Sequence, residues 1–236
     1  MSVSLHGAVE AGPVVSDVDL VATGRRWRRI LLRTPWLTAA DDLGAVLAGA
    51  LAGYPARPGD VVAVAEKIAV VTSGRAVDAR ALHAGPLARL LARAVRPVGD
   101  SCGLSLPRKM QFVLDQVGRP RVLAAALAAA VTRPLGHRGT FYRLLGSTAR
   151  DLDGLRGAYL DELLPPLRPG EAQLLAHHLA ARLGRVVAVV DVNDRGGSVR
   201  AVSSGGPDAP ALLALLCDNP HGDCGQSTPV VLLRPR

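Results

Sequence analysis

The order of polar and apolar positions divides the chain into a series of short elements. From Ser4 to Ala22 apolar residues loosely alternate with polar ones. Arg25-Arg26-Trp27-Arg28-Arg29 reads as a charged turn feeding a short strand at Ile30-Leu31-Leu32. Thr34-Pro35-Trp36-Leu37-Thr38 breaks that strand. Thr38 is placed to cap a helix whose first turn would carry Asp41 and Asp42, where the dipole favours acids. Leu43, Val46, Leu47 and Leu51 keep helical spacing, and Gly53, Pro55 and Pro58 stop it. After a Gly59-Asp60 turn, Val61 to Val71 is a nearly unbroken β-branched and alanine run, the pattern of a buried strand. Thr72-Ser73-Gly74-Arg75 is a polar turn, and Ala76-Val77-Asp78 resumes a strand.

Pro86 to Val95 is helical, with Arg89 and Arg93 on one face, and Pro97 to Pro107 is a loop. Val113-Leu114 is a brief apolar patch. Val122 to Thr132, bracketed by Arg121 and Arg133, reads as a buried helix too short to cross a membrane, which takes about 20 apolar residues. Phe141 to Leu145 is a short apolar segment, and Arg150 to Gly170 reads as irregular. Glu171 to Leu183 is a helix ended by Gly184. Val186 to Val190 is a strand that can pair with Val199 to Ser203 as a hairpin. Pro210 to Leu216 is a helix and Pro229 to Leu233 a last strand. Strands and helices mix without strict βαβ alternation, which predicts an α+β fold. With 236 residues, the expectation is a single domain over 1–236, with a possible subdomain inserted near 97–184.

Composition changes this picture in two ways. The net charge is +8, but the arginines are scattered and aromatics make up only 3%, which argues against nucleic acid and suits a small polyanion such as a nucleotide. Arg25 to Arg29 is a solvated edge, an anion clamp or a site for an acidic partner. Of the 28 basic residues, only Lys67 and Lys109 are lysine. Three cysteines make no disulfide framework, and acids at Glu10, Asp17 and Asp19 rule out a signal peptide, so a cytoplasmic protein without a membrane segment is expected.

Three stretches could carry chemistry. Glu66-Lys67 sits inside an apolar run, where a charged pair is costly unless it is partnered or lies at the strand end. With the glycine turn up to Arg75, Lys67 can hold a phosphate; lysine is a compact charge that arginine does not replace. In Val189 to Gly197, Asp191, Asn193 and Asp194 follow a buried strand and offer oxygens to Mg²⁺, or simply build a turn. Cys217, His221 and Cys224 have the wrong spacing for zinc. Neither a nucleophile elbow nor a dinucleotide fingerprint occurs.

Gly59-Asp60-Val61-Val62-Ala63-Val64-Ala65-Glu66-Lys67, continuing to Ser73-Gly74-Arg75-Ala76-Val77, resembles the signature strand of the coenzyme F420-0:gamma-glutamyl ligases. Thr34-Pro35-Trp36-Leu37 resembles their nucleotide loop, and Val187 to Gly197 their later strand and aspartate. Gly139-Thr140-Phe141-Tyr142-Arg143 and Asp218-Asn219-Pro220 are similar to a standalone branch of that superfamily. The resemblance implies a mixed-sheet α+β fold, an intertwined homodimer, and a GTP- or ATP-dependent ligase using Mg²⁺ or Mn²⁺. Such an enzyme activates the carboxylate of an acidic small molecule, such as F420-0, as an acyl phosphate, and the amino group of L-glutamate then forms an amide. On these residues Thr34, Trp36, Leu37, Glu66, Lys67 and Arg75 would contact the nucleotide, and Asp191, Asn193 and Asp194 the metal. Two features depart from the family. Val70-Val71 stands where the ligases carry Ser-Lys, and no acidic Asp-Glu-Ser-Asn motif lies between Asp100 and Val131. A non-catalytic relative that binds a nucleotide, another anion or a protein partner is the alternative.

Overall fold

The computed structural model describes residues 14–22, 24–97, 102–156, 159–193, 196–222 and 228–236. In chain order the elements are β1 (Val14–Ala22), β2 (Arg25–Leu32), α1 (Leu43–Ala50), β3 (Val61–Ala65) and α2 (Glu66–Thr72), followed by β4 (Val77–Asp78), α3 (Pro86–Ala94), α4 (Pro107–Val117), α5 (Arg119–Thr132), α6 (Thr140–Leu145) and α7 (Ser147–Arg150). Then come β5 (Asp153–Arg156), β6 (Tyr159–Leu164), α8 (Pro169–Leu183), β7 (Val186–Asn193), β8 (Gly196–Val202), α9 (Ala209–Leu216) and β9 (Val230–Pro235). The fold is α+β with a mixed sheet. It divides into two compact units: the described residues up to Gly74 together with those from Leu167 onward, and residues 75–166.

The first unit is built on a six-stranded sheet in the order β1-β2-β9-β3-β7-β8. Only β3 and β7 run parallel, with Val61 to Ala65 facing Val186 to Val190; the other pairings are antiparallel. Val62, Val64, Val187 and Val189 are fully buried on one face, and Ala63, Ala188 and Val190 on the other, so the central strands read as unbroken apolar runs. On the second of these faces α9 contributes Leu212, Leu215 and Leu216 to the core. α8 packs on β7 and β8. Each buried leucine or valine is worth about 1.5–3 kcal/mol, so this face holds the sheet order.

The second unit has a three-stranded antiparallel sheet, β4-β6-β5, with its own core of Leu104, Met110, Val113, Val122 and Leu163. Gly154 is required here. Its φ is +93°, and a Cβ would lie 2.0 Å from the carbonyl oxygen of Glu162.

Several elements differ from the sequence expectation. Val61 to Val71 is not one strand: β3 ends at Ala65 and α2 begins at Glu66. A short buried β-branched run cannot be told from a buried helix by period alone. The partner strands decide it, because β9 supplies its last contact when the Ala65 N–H donates to the Pro229 carbonyl. Arg25 to Arg29 lies within β2 rather than in a turn, since β1 pairs alongside it from Arg25 onward. Asp42, not Thr38, caps α1: its carboxylate accepts from Ala45 N–H at 2.8 Å, while Asp41 accepts from Thr38. The apolar run of α5 is not a buried helix, because only Val122 and Ala125 are buried and Leu127 and Val131 are exposed. Arg150 to Gly170 holds β5 and β6, and Val113-Leu114 belongs to the full helix α4.

Candidate functional site

The parallel pairing of β3 and β7 ends at Ala65 and Val190, and β7 runs on to Asn193 alongside β8. Ala65 faces Val190 in the parallel register, so Glu66, which opens α2, and Asp191, still in β7 opposite Ser198, follow at equivalent positions along the two strands. In open sheets with parallel strands, ligands bind outside these carboxyl ends. Glu66 opens α2 and is buried, with 8% of its side chain exposed. One carboxylate oxygen accepts from the Leu167 N–H at 2.8 Å, and the other from Arg200 Nε at 2.9 Å. A second nitrogen of the same guanidinium, Nη2, donates to Asp191 Oδ2 at 2.9 Å. The result is a buried carboxylate, a guanidinium and a half-exposed carboxylate in a row.

Local backbone irregularity places Arg200. β8 pairs Ala201 with Val189 and Val199 with Val190, so Arg200 is the extra residue of a β-bulge. Bulges re-aim a side chain and are over-represented beside active sites. Gly197 lets the hairpin close near this point, since a Cβ there would sit 2.8 Å from the Asp191 carbonyl oxygen.

Burial pushes the Glu66 carboxyl above the usual carboxylate range; the Arg200 charge and the Leu167 N–H pull it back, and the Asp191 charge adds to the rise. Burying a charged triad is expensive. Apolar residues of similar volume would be at least as stable. Two carboxylates, one just past the end of β3 and one from within β7, drawn onto one cation are therefore a functional candidate rather than a packing device.

The other expected site residues distribute as follows. Lys67 is exposed on α2, next to Glu66. Thr34 and Leu37 are buried in the loop after β2, and Trp36 is 43% exposed. Asn193 is exposed at the far end of β7, opposite Gly196. Asp194 lies outside the described residues, as do Asp100 and Cys224. Arg75 belongs to the second unit. The other lysine, Lys109, is buried in α4 and donates to the Leu152 carbonyl at 3.1 Å. Arg28 pairs with Asp17 and the buried Arg29 with Asp218, so two of the four arginines around Trp27 are engaged within the fold. His221, near that pair, is half-buried and its pKa is lowered to about 4 by desolvation.

Arg200 was not among the residues singled out from sequence. Its signal is the demand for a partner that a carboxylate inside an apolar run creates. The hairpin strand opposite Asp191 offers one described cation, Arg200.

Among the described residues, no three His, Cys, Asp or Glu side chains gather into a metal cage. Mg²⁺ needs none: it takes one or two carboxylates and completes its shell with water and substrate phosphates. Glu66 and Asp191, already gathered around a cation, fit that donor set. Comparison with protein-family models and with curated proteins gives no match. No helix among the described residues is long and apolar enough to cross a membrane.

Proposed function

We propose that this chain is a nucleotide- and divalent-metal-dependent acid–amino-acid ligase of the gamma-glutamyl type. Its substrates would be an acidic small molecule such as F420-0, L-glutamate, and GTP or ATP. The observation that carries the reading is the convergence of Glu66 and Asp191 on one cation where the parallel pairing of β3 and β7 stops. The resemblance of Gly59 to Val77 to the ligase strand supports the same reading, and with it a cytoplasmic homodimer.

Glu66 and Asp191 would hold Mg²⁺ or Mn²⁺, which would supply neutralisation of phosphate charge when bound. Arg200 is the resident cation, and its guanidinium can turn from the carboxylates to a phosphate, for which its planar fork is suited. Lys67, exposed beside Glu66, adds a second positive charge for the phosphates. The Leu167 N–H fixes one Glu66 oxygen and keeps its carboxylate aimed at the site. Phosphoryl transfer needs positioning and charge neutralisation more than a protein nucleophile, and the residues present match that need.

Arg200 also favours a second reading. A guanidinium bonded to both carboxylates can replace the metal permanently, which would leave a ligase-fold relative that binds an anion without chemistry. Calorimetric titration with GTP and ATP, with and without Mn²⁺, on wild type and Lys67→Ala, separates the two. The ligase reading expects binding that requires the metal and is lost in Lys67→Ala. Binding indifferent to metal would favour the non-catalytic relative. Absence of binding under every condition would sink the ligase reading.

A further inference from the structure

The opposite ends of β3 and β7 carry a second buried charge cluster. Asp60 precedes Val61 and Arg185 precedes Val186, residues that face each other in the parallel register. Arg234 lies on β9, next to Leu233, the antiparallel partner of Val61. The Asp60 side chain is fully buried. Arg234 grips it with two bonds of 2.8 Å, from Nε and Nη2, and Nη2 also donates to the Pro55 carbonyl. Arg185 approaches the same carboxylate at 3.9 Å with only 6% of its side chain exposed. Its Nη2 donates to the Tyr54 carbonyl. Arg185 Nε and Nη1 are buried and have no hydrogen-bond partner.

One buried carboxylate thus faces two buried guanidiniums, leaving one positive charge and two donor nitrogens of Arg185 uncompensated. Such a group is costly to keep without an acceptor. Arg185 lines a cleft of about 610 Å³ that also presents Arg57, His177, Ser203 and Ser204. Ser203 Oγ accepts from the Val187 N–H, which leaves its own hydroxyl hydrogen available. Arg57 is exposed; its backbone N–H donates to the Asp60 carboxylate and its carbonyl accepts from the Asp60 N–H.

We propose that this cleft is a second, metal-independent anion site, which takes a small oxyanion, the phosphate or carboxylate group of a metabolite, beside Arg185 and Arg57. Exposed donors of Arg57 and Ser204 meet the anion first, and the Arg185–Arg234 pair supplies the uncompensated charge that holds it. The proposal does not rest on the ligase reading, since the cleft lies at the other end of the strands from Glu66 and Asp191.

The test is calorimetric titration of the full chain with inorganic phosphate and, separately, with succinate, in the absence of divalent metal. Wild type should bind at least one of them saturably. Arg185→Met should weaken binding roughly tenfold or more, the effect of losing one charge-assisted contact. Arg57→Gln, which leaves the buried cluster intact, should weaken it severalfold and decides the matter if Arg185→Met does not fold. Lys67→Ala should bind as wild type does. Stronger binding of phosphate assigns the site to phosphoryl groups, and stronger binding of succinate assigns it to carboxylates. No saturable binding of either ion, binding unchanged by both arginine variants, or binding lost in Lys67→Ala would overturn the proposal.

Discussion

Replacing Arg200 by methionine should destabilise the protein by about 3–5 kcal/mol, because it leaves the buried Glu66 carboxylate without its counter-charge. Glu66 would keep only the Leu167 N–H. The loss should depend on pH in a definite direction. Burial already raises the Glu66 carboxyl above its ordinary value, and Arg200 is the main influence lowering it. Without Arg200 the carboxyl rises further. A carboxyl whose folded-state value exceeds its unfolded value binds more protons when folded. Stability therefore falls as pH climbs from the ordinary carboxylate range through the raised value, and the deficit is complete above it. Urea denaturation of Arg200→Met across this range should show that decline. The double variant Glu66→Gln, Arg200→Met should flatten it and recover part of the stability, since no buried charge remains at Glu66. A variant as stable as wild type at neutral pH would mean that the triad is not a buried charge network.

Asp60→Asn should cost a similar amount, about 3–5 kcal/mol, at the other end of the same strands. The substitution keeps the shape and one carbonyl acceptor, so the loss reports charge. Arg234 and Arg185 would then face each other with no buried carboxylate between them. Because Arg234 holds β9 against the loop that carries Pro55, the variant should unfold cooperatively at lower urea rather than fray at one edge. Chemical denaturation followed by circular dichroism measures this directly. A change below about 1 kcal/mol, the usual scale of a surface substitution, would show that the pair is solvated.

The strands of the main sheet were legible because their apolar runs are long and their boundaries are marked. Gly59-Asp60 before β3 and Gly184 after α8 stop the chain where the pattern says they should. The hairpin of β7 and β8 was legible, but its turn was not: β7 runs past Val190 to Asn193 and β8 begins at Gly196, so Asp191 to Asn193 and Gly196-Gly197 are paired strand residues rather than a turn. What stayed hidden depends on neighbours in space. The end of β3 at Ala65 is set by the reach of β7 and β9, and nothing in Val61 to Val71 marks it. β5 and β6 pair through a register shift beside Gly154 and the positive φ of Leu155, in a stretch whose prolines suggested disorder of pattern rather than strands. α5 shows the opposite failure: an alanine-rich run reads as buried, yet Leu127 and Val131 face outward.

Glu66, Lys67 and Asp191 were visible as chemistry because charge interrupts or ends an apolar run. Their geometry was not. Which cation answers Glu66 depends on a one-residue bulge in β8, and a bulge leaves no trace in a binary pattern. The Asp60 cluster was invisible for the same reason. Its members, at positions 60, 185 and 234, meet only because β3, β7 and β9 are adjacent. The sequence suggested a turn at Gly59-Asp60 and was silent on why its aspartate is buried.

The measurement that bears most directly on the central claim is a GTP titration with and without Mn²⁺, run on wild type and on Asp191→Asn. Asp191 is the half-exposed member of the triad, so its amide should leave the fold intact while removing one of the two carboxylates offered to a metal. The account predicts that Mn²⁺ tightens GTP binding to wild type and that Asp191→Asn loses this gain. GTP binding that is equal with and without Mn²⁺, or a gain that survives in Asp191→Asn, would contradict a cation site between Glu66 and Asp191.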